Sequence, residues 1–152
     1  MARGTEIVII GGGIVGLSIA YHLAARGCHD VCVLERRQIG QGATSKATGG
    51  IRQQFSSEIN IRLSQESLKR FERFEEEMGC PADFRQVGYL FLASSGGDWA
   101  WLQEAAALQR RLGVPVELLT PDEAGGLVPG LRTGDLLGAT FCGTDGIADP
   151  HA

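Results

Sequence analysis

From Ile7 to Ala25 the chain carries no Asp, Glu, Lys or Arg, and its apolar pattern changes period within that stretch. Residues 5–10 (TEIVII) are short and β-branched, the pattern of a strand buried on both faces of a parallel sheet. Three glycines, Gly11 to Gly13, interrupt any regular element. From Ile14 to Arg26 the apolar residues Val15, Leu17, Ile19, Ala20 and Leu23 fall at helical spacing, and Gly27 is placed to end the helix. Residues 30–34 (DVCVL) read as a second short strand, closed by Glu35. A membrane helix needs about twenty apolar residues, and glycine is tolerated in bilayers, so length alone admits a span. The strand and acid that follow favour the strand–loop–helix–strand unit of a nucleotide fold instead, and no membrane span is expected.

Residues 36–56 are rich in Gly, Ser and Thr and show no period. A stretch of that length inside a compact domain is usually functional or disordered. Periodicity returns at 57–78, which predicts a helix with Ile61, Leu68, Phe71, Phe74 and Met78 on one face, Ser57 as N-cap and Gly79 at its end. Residues 87–93 predict a strand, 98–112 an amphipathic helix with Arg110 and Arg111 in its last turn, and 114–119 a short strand. Thr120-Pro-Asp-Glu123 is a capping box with Pro at the first helical position. A last strand is expected at 137–142. No internal repeat is visible.

Composition narrows the class of protein. The length of 152 residues suits one ordinary domain, and 43% apolar with 21% charged residues reads as globular and soluble. A net charge of −4 excludes a generally basic nucleic-acid binder. Arg36-Arg37 and Arg110-Arg111 are pairs rather than patches. Cys28, Cys32, Cys80 and Cys142 form no C-x-x-C pair, which argues against a disulfide framework or structural zinc and fits a reducing, cytoplasmic compartment. The apolar run near the N-terminus has no fitting cleavage site for a signal peptide.

Gly11-x-Gly13-x-x-Gly16 follows one predicted strand and opens a predicted helix. The glycines serve a tight turn, close approach of a pyrophosphate, and helix–strand packing. Gly12, Ile14 and Val15 lie inside the same loop and first turn, where unpaired amides and the helix dipole attract phosphate. Glu35 stands 24 residues after Gly11, at the end of the second strand. A carboxylate there can accept both hydroxyls of an adenosine ribose. It would repel a 2′-phosphate, so NADP is disfavoured, while FAD and NAD both remain open.

The next segment, "ERRQIGQGATSKATGGIRQQFSSEINIRLSQES", closely resembles FAD-dependent oxidoreductases of the D-amino-acid oxidase superfamily. Within it the segment is most similar to the sarcosine oxidase β-subunit and dye-linked proline dehydrogenase β-subunit branch. A mitochondrial complex I assembly factor is similar across "GGIRQQFSSEINIRLS". "VGYLFLAS", "LLTPDEAGGLVPGL" and "DGIADPHA" fit the same template in the same order.

The resemblance implies an α/β fold: a Rossmann-like FAD-binding βαβ unit plus the beginning of an α+β substrate domain, incomplete. Residues 1–82 would belong to the FAD-binding domain, 83–147 to the substrate domain, and 148–152 would return toward the first. Gly11, Gly13 and Gly16 would hold the FAD pyrophosphate and Glu35 the ribose, with Arg36 bordering the adenosine. Gly42, Ala43, Thr44 and Ser45 match the phosphate side of the family's second loop, and Gly49, Gly50 and Ile51 its ring side. Non-covalent FAD is implied, since no His or Cys lies between residues 33 and 79. Lys46 either favours negative charge on the cofactor or is simply exposed.

Arg52, just past the ring-side glycines, is the candidate catalytic residue, suited to a substrate carboxylate. The alternative is a salt-bridged arginine behind the cofactor. His22, His29 and His151 are assigned no role. The implied reaction is oxidation of a small amino acid or amine, such as sarcosine, proline or glycine, to an imine. The other reading is a non-catalytic flavin-binding assembly or interaction protein. Family members are more than twice as long, so the chain is expected to be a fragment, a truncated product or one piece of a split protein. A partner chain could then complete its sheets.

Overall fold

The computed structural model describes residues 4–150. By packing they fall into two compact units, residues 4–48 and 49–150. The first is a βαβ unit. Strand β1 (Ile7–Ile10) pairs in parallel with β2 (Val31–Leu34), and helix α1 (Ile14–Ala25) connects them. The register Ile7 to Val31 is pinned from below by Asp30, whose carboxylate accepts from Thr5 Oγ1 and Glu6 N, both at 3.0 Å. The helix begins at Ile14 because Gly13, in extended backbone, is its N-cap; it ends with Arg26 and Gly27 returning their amides to Leu23 and Ala24.

Burial departs from the expected pattern here. Ile10 is 88% exposed, Val15 70% and Ile14 57%, and Val8 and Leu34 are about half exposed. A strand buried on both faces needs a layer on each, and β1 has one strand neighbour and one helix. The β-branched run therefore forms the predicted strand without the predicted burial.

In the second unit a short antiparallel pair joins β3 (Gly50–Ile51) to β7 (Gly146–Ile147). A three-stranded antiparallel sheet has the order β4 (Tyr89–Ala93), β6 (Gly138–Cys142), β5 (Val116–Leu119). Helix α4 (Gly96–Arg111) packs on this sheet, and α5 (Pro121–Leu127) lies against β5 and β6. The core gathers Ile61, Ala106, Val114, Val116 and Cys142, flanked by Phe55, Leu108, Leu112 and Leu118.

The helix expected at 57–78 is two, α2 (Glu58–Glu72) and α3 (Phe74–Met78), separated by Arg73 at φ −109°, ψ 7°. No Gly or Pro marks that break. Ion pairs from Arg70 and Arg73 to Glu77 bridge it. Ser57 occupies the N-cap position but its side chain makes no capping bond, whereas Ser95 Oγ accepts from Asp98 N and starts α4 two residues earlier than expected. The capping box at Thr120 is complete: Glu123 N donates to Thr120 Oγ1, and the Glu123 carboxylate accepts from Thr120 N at 2.8 Å. The Thr120 amide holds the Glu123 carboxyl below its usual pKa. No helix among the described residues is long and apolar enough to cross a membrane.

The expected division after residue 82 falls inside the second unit. The chain's last residues, 151–152, including His151, lie outside the described residues.

Candidate functional site

The glycine-rich loop between β1 and α1 is held by its own backbone. Gly11 adopts φ +111°, a region that disfavours side chains, and its amide donates to Leu34 O at 2.8 Å, extending the strand pair by one bond. A Cβ on Gly16 would overlap the Gly11 carbonyl and crowd Ile9. The third glycine of the motif is thus required by packing of α1 on its own loop.

Gly13 differs. Its backbone is ordinary, at φ −88° and ψ −178°, and a Cβ there would come within 3.2 Å only of the Thr44 hydroxyl. The backbone does not demand glycine at Gly13 as it does at Gly11, and the tight neighbour there is a side-chain hydroxyl rather than the fixed carbonyl that faces Gly16.

Glu35 braces this loop. Its carboxylate accepts from Gly12 N at 2.8 Å through Oε2 and from Arg37 N at 2.9 Å through Oε1. These amides, Gly12 foremost, hold the carboxyl below the usual carboxylate pKa, and the Arg36 charge adds to the effect. The side chain is exposed, and each carboxylate oxygen has further acceptor capacity. Arg36 is exposed beside it.

The segment after β2 folds back onto the loop. Gly40 N donates to Gly12 O at 2.9 Å, and a 3₁₀ turn over Thr44–Lys46 brings Thr44 Oγ1 to Ile14 N at 3.0 Å. Ser45 N donates to Gly40 O. Gly42, Ala43 and Lys46 are exposed, and Gly42 and Ala43 make no contact with the loop that assigns them a task. The amides of Gly13, Val15 and Gly16 donate to no acceptor among the described residues. Unbonded amides at a helix N-terminus, opened by glycines, fit a pyrophosphate.

The remaining candidates lie in the second unit. Gly49 adopts φ +77° under the Ala148 carbonyl, which a Cβ would overlap, and Ala148 N donates to Gly49 O at 2.9 Å. Gly50 and Ile51 form β3. The half-buried Arg52 follows, its guanidinium carbon 5.0 Å from the Phe55 ring centroid, 5.3 Å from Phe91 and 5.9 Å from Tyr89. It pairs with no carboxylate among the described residues. The alternative of a salt-bridged arginine therefore has no partner here.

The sequence reading missed what stands behind Arg52. Gln53, Gln54 and Asp145 are buried, and both glutamines donate to the Asp145 carboxylate. Two consecutive glutamines between an arginine and a phenylalanine, ahead of an amphipathic helix, were the available signal. The four cysteines are free thiols, and among the described residues no group of His, Cys, Asp and Glu is placed to hold a metal.

Residues 6–152 match the family described as FAD dependent oxidoreductase. The crystal structure of L-proline dehydrogenase from P. horikoshii is similar with a TM-score of 0.90 and 42% identity, over 99% of this chain and 40% of that one. Mitochondrial dimethylglycine dehydrogenase of Homo sapiens is 34% identical over 151 residues, 97% of this chain and 17% of that protein. The mitochondrial pyruvate dehydrogenase phosphatase regulatory subunit of Mus musculus is 29% identical over 142 residues, 93% of this chain and 16% of that protein. The chain spans well under half the length of these relatives.

Proposed function

The chain belongs to the family of FAD dependent oxidoreductases, and from that membership we propose that it is the FAD-binding part of an enzyme oxidising a small amino acid such as sarcosine, proline or glycine. The observation that carries this reading is the set of unbonded amides at Gly13, Val15 and Gly16 above a loop braced by Glu35. FAD would supply the acceptor for the hydride equivalent that leaves a carbon bonded to the substrate nitrogen, and water would hydrolyse the resulting imine.

In this reading the amides of the loop and the Thr44 and Ser45 hydroxyls bind the pyrophosphate. Glu35 keeps the loop closed through Gly12 while its remaining acceptor capacity takes the ribose hydroxyls. The binding is non-covalent. Gly42 and Ala43 admit the phosphates, and Gly49, Gly50 and Ile51 present backbone toward the flavin ring. Arg52 takes the substrate carboxylate: its fork of N–H donors has no acceptor among the described residues, and its face lies over aromatic rings. Residues 1–82 serve the cofactor, 83–147 begin the substrate side, and 148–152 lead back. The reduced-thiol composition suits the cytoplasm. The exposed apolar side chains of Ile10, Val15 and Leu34 require cover, from further chain or from a partner chain.

The test is anaerobic addition of sarcosine or proline to the intact flavoprotein. Bleaching of the flavin absorbance supports the proposal; unchanged absorbance with bound FAD supports a second reading, a flavin-holding assembly or regulatory protein. The likeness to a phosphatase regulatory subunit favours that second reading. The 152-residue chain alone is expected to show no turnover, because the likeness to L-proline dehydrogenase leaves most of that protein unmatched.

A further inference from the structure

Three aromatic rings surround the Arg52 guanidinium, and the backbone of that site is tied down by buried amides. Asp145 is fully buried at the turn between β6 and β7, and no cation pairs with it among the described residues. Its Oδ1 accepts from Gln53 N at 2.9 Å and from Gln53 Nε2 at 3.2 Å, and its Oδ2 accepts from Gln54 Nε2 at 3.3 Å. The first of these bonds fixes the Arg52–Gln53 peptide, from which the arginine side chain departs. Gln54 carries the constraint to the rings. Its Nε2 also donates to Tyr89 O at 2.8 Å, and its Oε1 accepts from Thr140 Oγ1 at 2.8 Å. Gln109 Nε2 holds Phe55 O at 2.9 Å in the same manner.

A hydrophobic core of this size has no need of such a carboxylate. Burying one is costly unless every lone pair is used, and here the donors are side-chain and main-chain amides instead of a counter-ion. The arrangement does one thing that an apolar filling would not: it locks the peptide that carries Arg52 and the strand residue Tyr89 to a single anchor. An arginine has several rotatable bonds and loses entropy when held. Fixing its root and its rings together lowers the number of positions the guanidinium can take.

We infer that Asp145 is a positioning residue for Arg52, acting through Gln53 and Gln54 to hold the guanidinium on Phe55, Tyr89 and Phe91 with its N–H edge open to a carboxylate. The positioning itself stands apart from the amino-acid oxidation reading; only its consequence for a substrate carboxylate rests on it. Asp145→Asn keeps the shape and replaces Oδ2 or Oδ1 with a donor. Either the bond to Gln54 or that to Gln53 then becomes donor against donor. Turning the Gln54 amide to compensate gives up Tyr89 O.

The test reads the guanidinium directly in the full chain. Side-chain NMR of Arg52 should show ring-current displacement of its Cδ and Nε protons, which Arg52→Lys identifies by their disappearance. In Asp145→Asn, with far-UV dichroism and the β4–β6 amide signals retained, those protons should move to the values of a solvated arginine. Gln54→Leu, which leaves the bond between Asp145 and Gln53 N in place, should give a smaller displacement in the same direction. Unchanged Arg52 signals in a folded Asp145→Asn overturn the inference. So does unfolding of both variants, which would make the network a folding element only. A separate titration of the intact flavoprotein with proline, in the wild type and Arg52→Lys, decides the carboxylate role: equal KM in the two removes Arg52 from substrate binding and leaves the NMR result standing.

Discussion

Replacing Gly16 with alanine should destabilise the unliganded chain more than the same change at Gly13. A Cβ on Gly16 overlaps the Gly11 carbonyl oxygen and lies 3.3 Å from Ile9 Cγ2. The carbonyl cannot yield freely, because the same residue sits at φ +111° and bonds Leu34 O through its amide. Overpacking of this kind costs about 1–3 kcal/mol. Alanine returns about 1 kcal/mol through better helix propensity. Because the overlap is with fixed backbone, the upper end of that range applies, and the net loss is about 2 kcal/mol, a fall in Tm of about 4–8 °C at this chain length.

At Gly13 the backbone is extended and the near neighbour is a hydroxyl at 3.2 Å, and alanine is a poorer N-cap than glycine, so Gly13→Ala should cost about 0.5–1 kcal/mol, less than Gly16→Ala. Its larger effect should appear on ligand, since the new methyl stands beside the unbonded amides. Calorimetric titration with FAD of intact protein carrying each change, alongside thermal melts of the chain, separates the two. Equal melting temperatures for Gly16→Ala and wild type would refute the packing argument. Full FAD affinity in Gly13→Ala would remove the phosphates from this loop.

Glu35→Gln should loosen the loop in a pH-dependent way. The folded pKa of Glu35 is depressed, so its contribution is present above the unfolded carboxylate value and is lost as pH falls through the folded pKa; urea midpoints of wild type and variant should converge on acidification, and a gap that widens would contradict the sign. Thr120→Ala removes one half of the capping box and should cost about 0.5–2 kcal/mol by urea unfolding. Ile61→Ala empties a fully buried site and should cost about 2–5 kcal/mol in the same assay. Burial raises the Cys142 thiol pKa while Cys80 is exposed, so iodoacetamide should label Cys80 in the native chain and spare Cys142 until denaturant is added, as mass spectrometry of the tryptic peptides would show.

Local chemistry made much of this protein legible before any coordinates. β-Branched runs at Ile7 and Val31, the glycines between them and an acid after the second run specify strand, turn, helix and strand through short-range sterics alone. Those are the elements observed. The capping box at Thr120 needs only its own four residues, and it forms as read. Burial was not readable in this way. Val8, Ile10 and Val15 are as apolar as a core requires, yet whether they are covered depends on which layers lie over them.

The break at Arg73 has no local signal either; the helix expected through it is divided although neither Gly nor Pro occurs there. The distinction between Gly13 and Gly16, identical letters in one motif, comes from what stands opposite each: a side-chain hydroxyl in one case and a backbone carbonyl in the other. Asp145 lies 92 residues from the Gln53 amide it accepts. Its place behind Arg52 arises only when β7 pairs with β3 and the turn after β6 closes over the two glutamines. Hydrogen bonds and van der Waals overlap act over a few ångströms of space and take no account of separation along the chain. Sequence therefore determined the βαβ elements and the glycine-rich loop, and tertiary structure alone decided the division at Arg73, which side chains are covered and what stands behind Arg52.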